Sequence, residues 1–467
     1  MSGALLLFPV SLCAMAMGQT SPWEADFARQ PVSSRPRLET RYVTSARTAA
    51  EVLAQTYQLR LDFGSPAGHR ATAHTTDGTQ FAELWLEVEA ADGTVYSSRR
   101  SRDRSRINLY RRGPYCHEVH WFDVTCTTGE GKVLPVRGEI VLHCYPEKAH
   151  MQAILHAEGE VGSGMVQIVV RPSALVPAGL LTDMPGPGAD GLLRASAAFE
   201  GLGEGGKASV TAAFALSSDA AFPVELVPPP GAPAIELLDG VSAAYDEVRG
   251  CYVVTTDNPG GFNFHFYENP NYYETARFRL ANGPLPRKVY ICHATRSSPG
   301  SVECGVLLDA DGDPLPITVQ ISKNFAGERE EPFYNPTDTP FSETFFPLHL
   351  AAGETREVTS LHLYQNWGNH PLKQLSSLGA WMDYYHSSTG VTETTCFVPF
   401  KFGGLPGVAI ADLRAMSQPM WASQPQHDNV AGHRFLMVRS GGDWHYAEYR
   451  GTEIGRASCR ERVSECV

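Results

Sequence analysis

The sequence predicts an all-β protein of two large antiparallel β-sandwich domains with few short helices, and three observations carry that prediction. Apolar and polar residues alternate with period two in one short segment after another, brief turn-rich connections separate the segments, and no helical pattern recurs between them to make βαβ units. The first clear segment, "FAELWLEVEAADGTVYSS", sets Ala82, Leu84, Leu86 and Val88 on one face and Glu83, Trp85 and Glu87 on the other, then turns at Asp92-Gly93. The alternation returns in "GEIVLHCY", "MQAILHAEG", "MVQIVV", "GCYVVTT", "FNFHFYE", "ARFRLA", "RKVYICHA", "PITVQIS" and "EVTSLHLYQNW". Two stretches differ. Residues 45–56, "SARTAAEVLAQT", are expected to form a short helix, and in "PLKQLSSLGAWMDYY" Leu372, Leu375 and Leu378 keep a near-helical interval that leaves helix and strand both open.

Proline gathers in "PVELVPPPGAPAIEL", residues 223–237, which reads as a stiff extended connection. The glycine-rich "EGLGEGGKAS", residues 200–209, is expected to be a long hairpin loop. The organisation expected is a signal peptide over 1–16, an N-terminal sandwich over 17–226, a linker over 227–234, a C-terminal sandwich over 235–452 and a non-native tail over 453–467.

At the start, the apolar stretch Ala4–Leu12 followed by Ala14-Met15-Ala16 fits a signal segment with its cleavage site, so the mature chain is expected to be secreted or periplasmic. No other apolar run approaches the ~20 residues that span a bilayer, and no integral membrane segment is expected in it. The tail "EIGRASCRERVSECV" has no apolar period; from Ile454 to Val463 it resembles an in-frame translation of a sequencing-library adapter, and the native chain is expected to be truncated near Thr452.

A formal net charge of −13 argues against nucleic acid, whose binding depends on Lys and Arg neutralising phosphates. Of 10 cysteines, Cys13 falls in the leader and Cys459 and Cys466 in the tail. Among the rest, Cys116/Cys126 and Cys292/Cys304 have spacings that fit bridges between neighbouring strands, and burial as small apolar thiols is the equal alternative. No C-x-x-C pair occurs, and neither a metal nor a cofactor is expected.

The densest polar-aromatic stretch, "YQNWGNHPLKQLSSLGAWMDYYHSSTGVTETTCFVPF", supplies Asn366, Trp367, His370, Asp383, Tyr385, His386 and Glu393. Sugars present apolar ring faces edged by hydroxyls, so aromatic platforms beside amide, carboxylate and imidazole groups suit them. The candidate catalytic residues are Tyr385, His386, Glu393 and His370; those for substrate binding are Asn366, Trp367 and Asp383, joined by Trp421, His427 and Arg434 from a loop, "SQPMWASQPQHDNVAGHRF". Three chemistries remain open. A hydrolase needs two carboxylates, available as Asp383, Glu393 and Asp428. A lyase needs a group to neutralise a uronate and a Tyr or His to move the proton, as Asn366, His370, Tyr385 and His386 can. An epimerase needs an acid and a base, as His386 and Glu393 can supply.

Between Arg99 and Arg112 lie seven arginines; a solvated loop neutralised by surrounding acids is the first expectation, and a composition suited to carboxylate or sulfate, hence to an anionic glycan, is the alternative. In "CHEVH" the strand pleat sends His117 and His120 to opposite faces, against metal ligation, and "DADGD", residues 309–313, begins like a calcium loop but is expected to be a hairpin turn. Over residues 60 to 450 the body resembles the large antiparallel sandwiches of bacterial secreted carbohydrate-active proteins, including the galactose-mutarotase-like supersandwich. The resemblance implies a polysaccharide or oligosaccharide partner and transfers no catalytic residue. The competing expectation is a non-catalytic extracellular sandwich acting as a surface or assembly module.

Overall fold

The structure, a computed structural model, describes residues 38–43, 49–62, 68–103, 105–110, 113, 115–217, 221–228, 234–238, 241–256, 273–296, 302–311, 315, 317, 319–325, 341–365, 375–387, 390–401, 408–410, 436–440 and 443–446, with strands beyond residue 360 described as backbone. The first fourteen strands are β1 (Leu38–Tyr42), β2 (Ala49–Ala54), β3 (Tyr57–Asp62), β4 (Arg70–Thr75), β5 (Gln80–Ala90), β6 (Val95–Ser97), β7 (Arg106–Tyr110), β8 (His117–Val124), β9 (Val136–Cys144), β10 (Lys148–Ala157), β11 (Gly162–Pro172), β12 (Leu180–Thr182), β13 (Leu193–Leu202) and β14 (Lys207–Leu216). They form two antiparallel sheets. The first runs β1-β2-β3-β4-β5-β11-β13 with β6 also on β5, and the second runs β12-β14-β10-β9-β8-β7. Between them the inward-facing residues of every strand, among them Leu59, Leu61, Leu86, Val88, Trp121, Leu142, Leu155 and Ile168, make one buried core.

The remaining strands are β15 (Ala234–Leu237), β16 (Val241–Asp246), β17 (Cys251–Thr256), β18 (Tyr273–Ala281), β19 (Arg287–Arg296), β20 (Val302–Leu308), β21 (Val319–Phe325), β22 (Phe341–Leu350), β23 (Thr355–Gln365), β24 (Leu375–Ser387), β25 (Gly390–Lys401), β26 (Val408–Ile410), β27 (Leu436–Ser440) and β28 (Asp443–Tyr446). A third sheet, β15-β18-β23-β20, and a fourth, β16-β17-β19-β22-β21-β25-β24, enclose a second core that includes Phe278, Leu280, Ile291, Phe346 and Leu348. A small fifth sheet is β26-β27-β28. Among the named strands all pairs are antiparallel except β17 with β19.

The turn expected at Asp92-Gly93 is present: Gly93 takes φ 81°, and Thr94 N–H donates to Asp92 Oδ1 at 2.9 Å. The helix expected over 45–56 is corrected, because Ala49–Ala54 pairs with β1 on one side and β3 on the other, and that pairing overrides the helix propensity of its alanines. Residues 375–387 likewise resolve to strand. The glycine-rich stretch is no hairpin loop, since β13 lies in the first sheet and β14 in the second; Gly203–Gly206 instead carries the chain across the sandwich edge.

Cys116, Cys126, Cys144, Cys251 and Cys292 are buried and in no disulfide, so the two bridges considered do not form. Cys116 and Cys126 flank the 8 residues of β8, which hold them roughly 25 Å apart, far beyond disulfide reach. Burial pushes the thiols of Cys126 and Cys144 up to about 12.

A third core, with Tyr115, Tyr145, Ala215, Cys251, Tyr290 and Phe345, joins the two halves of the chain, and a buried polar seam accompanies it. Lys148, 1% exposed, donates to the carbonyls of Glu225 at 2.7 Å and Gly250 at 2.5 Å. Glu147 accepts from Lys288 at 2.6 Å and from Tyr290 at 2.7 Å. Gln320 accepts from the backbone N–H groups of Tyr115 and Cys116 and donates to the Cys116 carbonyl.

Candidate functional site

The pleat of the second sheet explains what collects on its outer face. Val119, Trp121, Ile140, Leu142, Met151 and Leu155 turn into the core, so the alternate positions Glu118, His120, Glu139, His143, His150, Gln152 and His156 turn away from it. The register sets Glu118 opposite His143, and His143 opposite His150. The result is a chain of alternating imidazoles and carboxylates across β8, β9 and β10. His143 Nε2 lies 3.4 Å from Glu118 Oε2, Glu118 Oε1 lies 2.6 Å from His120 Nε2, and His120 Nδ1 lies 3.2 Å from Glu139 Oε1. Glu139 Oε2 then meets His156 Nε2 at 3.2 Å.

Four of the five members are buried, and His156, with 17% of its side chain exposed, is the end that reaches solvent. The His120 contacts are close approaches without hydrogen-bond alignment, whereas that of His156 with Glu139 is a hydrogen bond. Tyr110 on β7 sets its ring edge-on to His120, with centroids 5.3 Å apart, and burial holds its hydroxyl well above the usual phenol range.

Burial alone raises the Glu139 carboxyl, but the adjacent imidazoles of His120 and His156 outweigh it and hold the group below the usual carboxylate range. Glu139 is therefore ionised at neutral pH and fixes the ring of His156. Such a dyad can take up or release a proton at a bound molecule. His150, beside the chain, is pushed well below the usual imidazole range by burial and by the charge of Lys148, and its Nδ1 meets the Glu247 carbonyl at 3.2 Å. Among the described residues no group of three or more His, Cys, Asp or Glu is arranged as a metal site.

His117 and His120 do face opposite ways. His117 Nδ1 meets Thr40 Oγ1 at 2.9 Å beneath β1, while His120 joins the chain. The residues singled out from the sequence lie elsewhere. Asp383, Tyr385 and His386 fall on β24, an edge strand, and Glu393 on its neighbour β25. Asp383 pairs with Thr394, Tyr384 with Glu393, Tyr385 with Thr392 and His386 with Val391. The backbone positions of His386 and Glu393 thus share one face of the pleat, and those of Asp383 and Tyr385 the other. Asn366, Trp367, His370, Trp421, His427 and Arg434 lie outside the described residues. The imidazole–carboxylate chain is absent from the sequence-based candidates because its members come from three segments, "CHEVH", "GEIVLHCY" and "MQAILHAEG". Their signal was polar residues at same-parity positions of consecutive strands.

No family model matches the chain, and no curated protein matches it. Among solved structures it is similar to a galactose mutarotase related enzyme from Lactobacillus acidophilus, with 10% identity, 67% of this chain and 95% of that chain covered, and a TM-score of 0.17.

Proposed function

We propose that this chain is a secreted carbohydrate-active protein that processes a polysaccharide by proton transfer, with His156 as the acid–base group and Glu139 as its orienting partner. The observation that carries the reading is the His156–Glu139 hydrogen bond at the solvent margin of an otherwise buried chain of imidazoles and carboxylates. Both carboxylates of that chain are engaged with imidazoles instead of flanking an open gap, which favours lyase or epimerase chemistry over a two-carboxylate hydrolase. In an elimination the imidazole accepts the proton from the carbon beside a uronate carboxyl. The electron pair of that C–H bond forms a double bond to the adjacent carbon, the bond from that carbon to the leaving sugar oxygen breaks with its pair staying on the oxygen, and the protonated imidazole returns its proton to that oxygen. Sugar recognition in this proposal falls to the polar-aromatic residues around β24 and β25, Asp383, Tyr385, His386 and Glu393 among them, with the export reading drawn from the leader.

A panel of uronate and neutral polysaccharides tests it. The protein is expected to turn over at least one, His156→Gln to lose about 10²-fold or more in rate, and Tyr385→Phe or His386→Ala to lower turnover while sparing glycan affinity. Full activity in His156→Gln overturns the assignment. The second reading, a non-catalytic surface module, is favoured by the complete burial of Glu118 and His120, which suits a structural polar layer. Binding to a glycan array with no turnover on any member supports it.

A further inference from the structure

On the opposite side of the N-terminal sandwich, the outer face of the first sheet gathers arginines round one carboxylate. Arg70 on β4 donates to Glu83 Oε1 at 2.8 Å; Arg99, from the 3-10 turn Ser98–Arg100, and Arg171 on β11 approach the same carboxylate at 3.4 and 3.6 Å. Arg99 and Arg171 also lie over the ring of Trp85, at 4.6 and 5.3 Å from its centroid, which fixes their planes. Trp85 is itself held by its Nε1–H donating to Glu87 at 2.7 Å. Asp62, opposite Arg70 in the register, is a further carboxylate at the rim.

Each guanidinium offers about five donors, and a carboxylate accepts about four hydrogen bonds, so the trio has more donors than Glu83 can take. The side chains of Arg70, Arg99 and Arg171 remain 33%, 30% and 50% exposed. Elsewhere on this face Arg41 pairs with Glu51 and Arg194 with Asp190. Asp62, Glu83 and Glu87 balance the three guanidinium charges, and what an oxyanion would find is the trio's surplus of donors on side chains that reach solvent.

We propose that Arg70, Arg99 and Arg171, braced by Trp85 and Glu83, form an oxyanion-binding site for the carboxylate or sulfate groups of an acidic polysaccharide. The proposal rests on the polysaccharide reading above and narrows it to anionic chains. It adds a binding surface on the sheet opposite to the one that carries His156, so a long polymer is held at a place separate from the acid–base group.

The test is affinity electrophoresis of the full chain at low salt through gels holding polygalacturonate, dextran sulfate or neutral dextran. The protein is expected to be retarded by at least one acidic polymer and not by dextran; which polymer retards it decides between carboxylate and sulfate. Arg99→Gln/Arg171→Gln is expected to weaken the apparent affinity about tenfold. Arg41→Gln/Arg194→Gln removes the same two charges and is expected to leave it unchanged. Equal loss in both doubles, or no retardation of the wild type, overturns the site. If the first double melts early, Arg99→Lys/Arg171→Lys keeps the charge and loses the planar fork; undiminished retardation of that variant overturns guanidinium recognition. Retardation without turnover keeps this site and removes the acid–base reading, whereas turnover of a neutral glycan without retardation does the reverse.

Discussion

Lys148 shows at a single residue how the two halves of the chain are joined. Its ammonium is held by two carbonyls and lies over the rings of Tyr145 and Tyr290 at 5.3 and 5.6 Å, yet burial lowers it to about 8. Between that value and the ordinary lysine value near 10.4 the unfolded chain binds a proton that the folded chain has released, so stability rises with pH across this window. The rise from Lys148 is up to about 1.4 kcal/mol per pH unit, and from about pH 8.5 it is opposed by the thiols of Cys126 and Cys144, which ionise in the unfolded chain but stay protonated in the fold. In thermal melts from pH 8 to 10 the stability of the wild type relative to Lys148→Met is expected to rise with pH, and a difference independent of pH overturns the assignment. The imidazole–carboxylate chain is graded in the same way. Removing one partner from its buried part, as in Glu118→Gln, is expected to cost about 3–5 kcal/mol, since an uncompensated polar group is left in the interior. His156→Gln at the wet end should cost less than about 1 kcal/mol, and denaturant titration separates the two. Glu139→Gln is expected to flatten the acid limb below about pH 4.3, because the stability of a depressed carboxylate is lost as pH falls through its folded value.

At the scale of the element, β5 was legible: alternation and an Asp-Gly turn defined both the strand and its end. What the alternation did not disclose is that its outward residues Glu83 and Trp85 are also buried, covered by arginines from β4, the turn after β6 and β11. That cover comes from partners up to about ninety residues away in the chain, which no local pattern records. The short helix over 45–56 failed for a similar reason, since hydrogen bonding to two neighbours outweighed the propensity of one segment. The imidazole–carboxylate chain needed the register of three strands before same-face residues could be matched. Strand β21 carries the testable joint between elements. Gln320→Ala leaves two N–H groups and one carbonyl of Tyr115 and Cys116 without their partner, at about 1–3 kcal/mol each. A fall in the urea midpoint with an unchanged slope is the expected reading.

For the whole molecule, the seam of Glu147, Lys148, Lys288, Tyr290 and Gln320 predicts that residues 38–216 and the second pair of packed sheets unfold together. Calorimetry should give one transition, with calorimetric and van't Hoff enthalpies in agreement, and two resolved transitions would show that the seam does not couple them. The interleaved order of the first sandwich has a consequence for how the chain is made. Strand β5 ends at Ala90, and its long partner β11 begins at Gly162. All of β7 to β10 is therefore translated before the first sheet can be completed, and the edge of β5 opposite β4 and β6 waits for β11 in the meantime. Such high contact order makes for slow folding and a nascent edge open to wrong partners. A ribosome stalled anywhere between these two strands would release a polypeptide with that edge bare, a natural substrate for holdase chaperones.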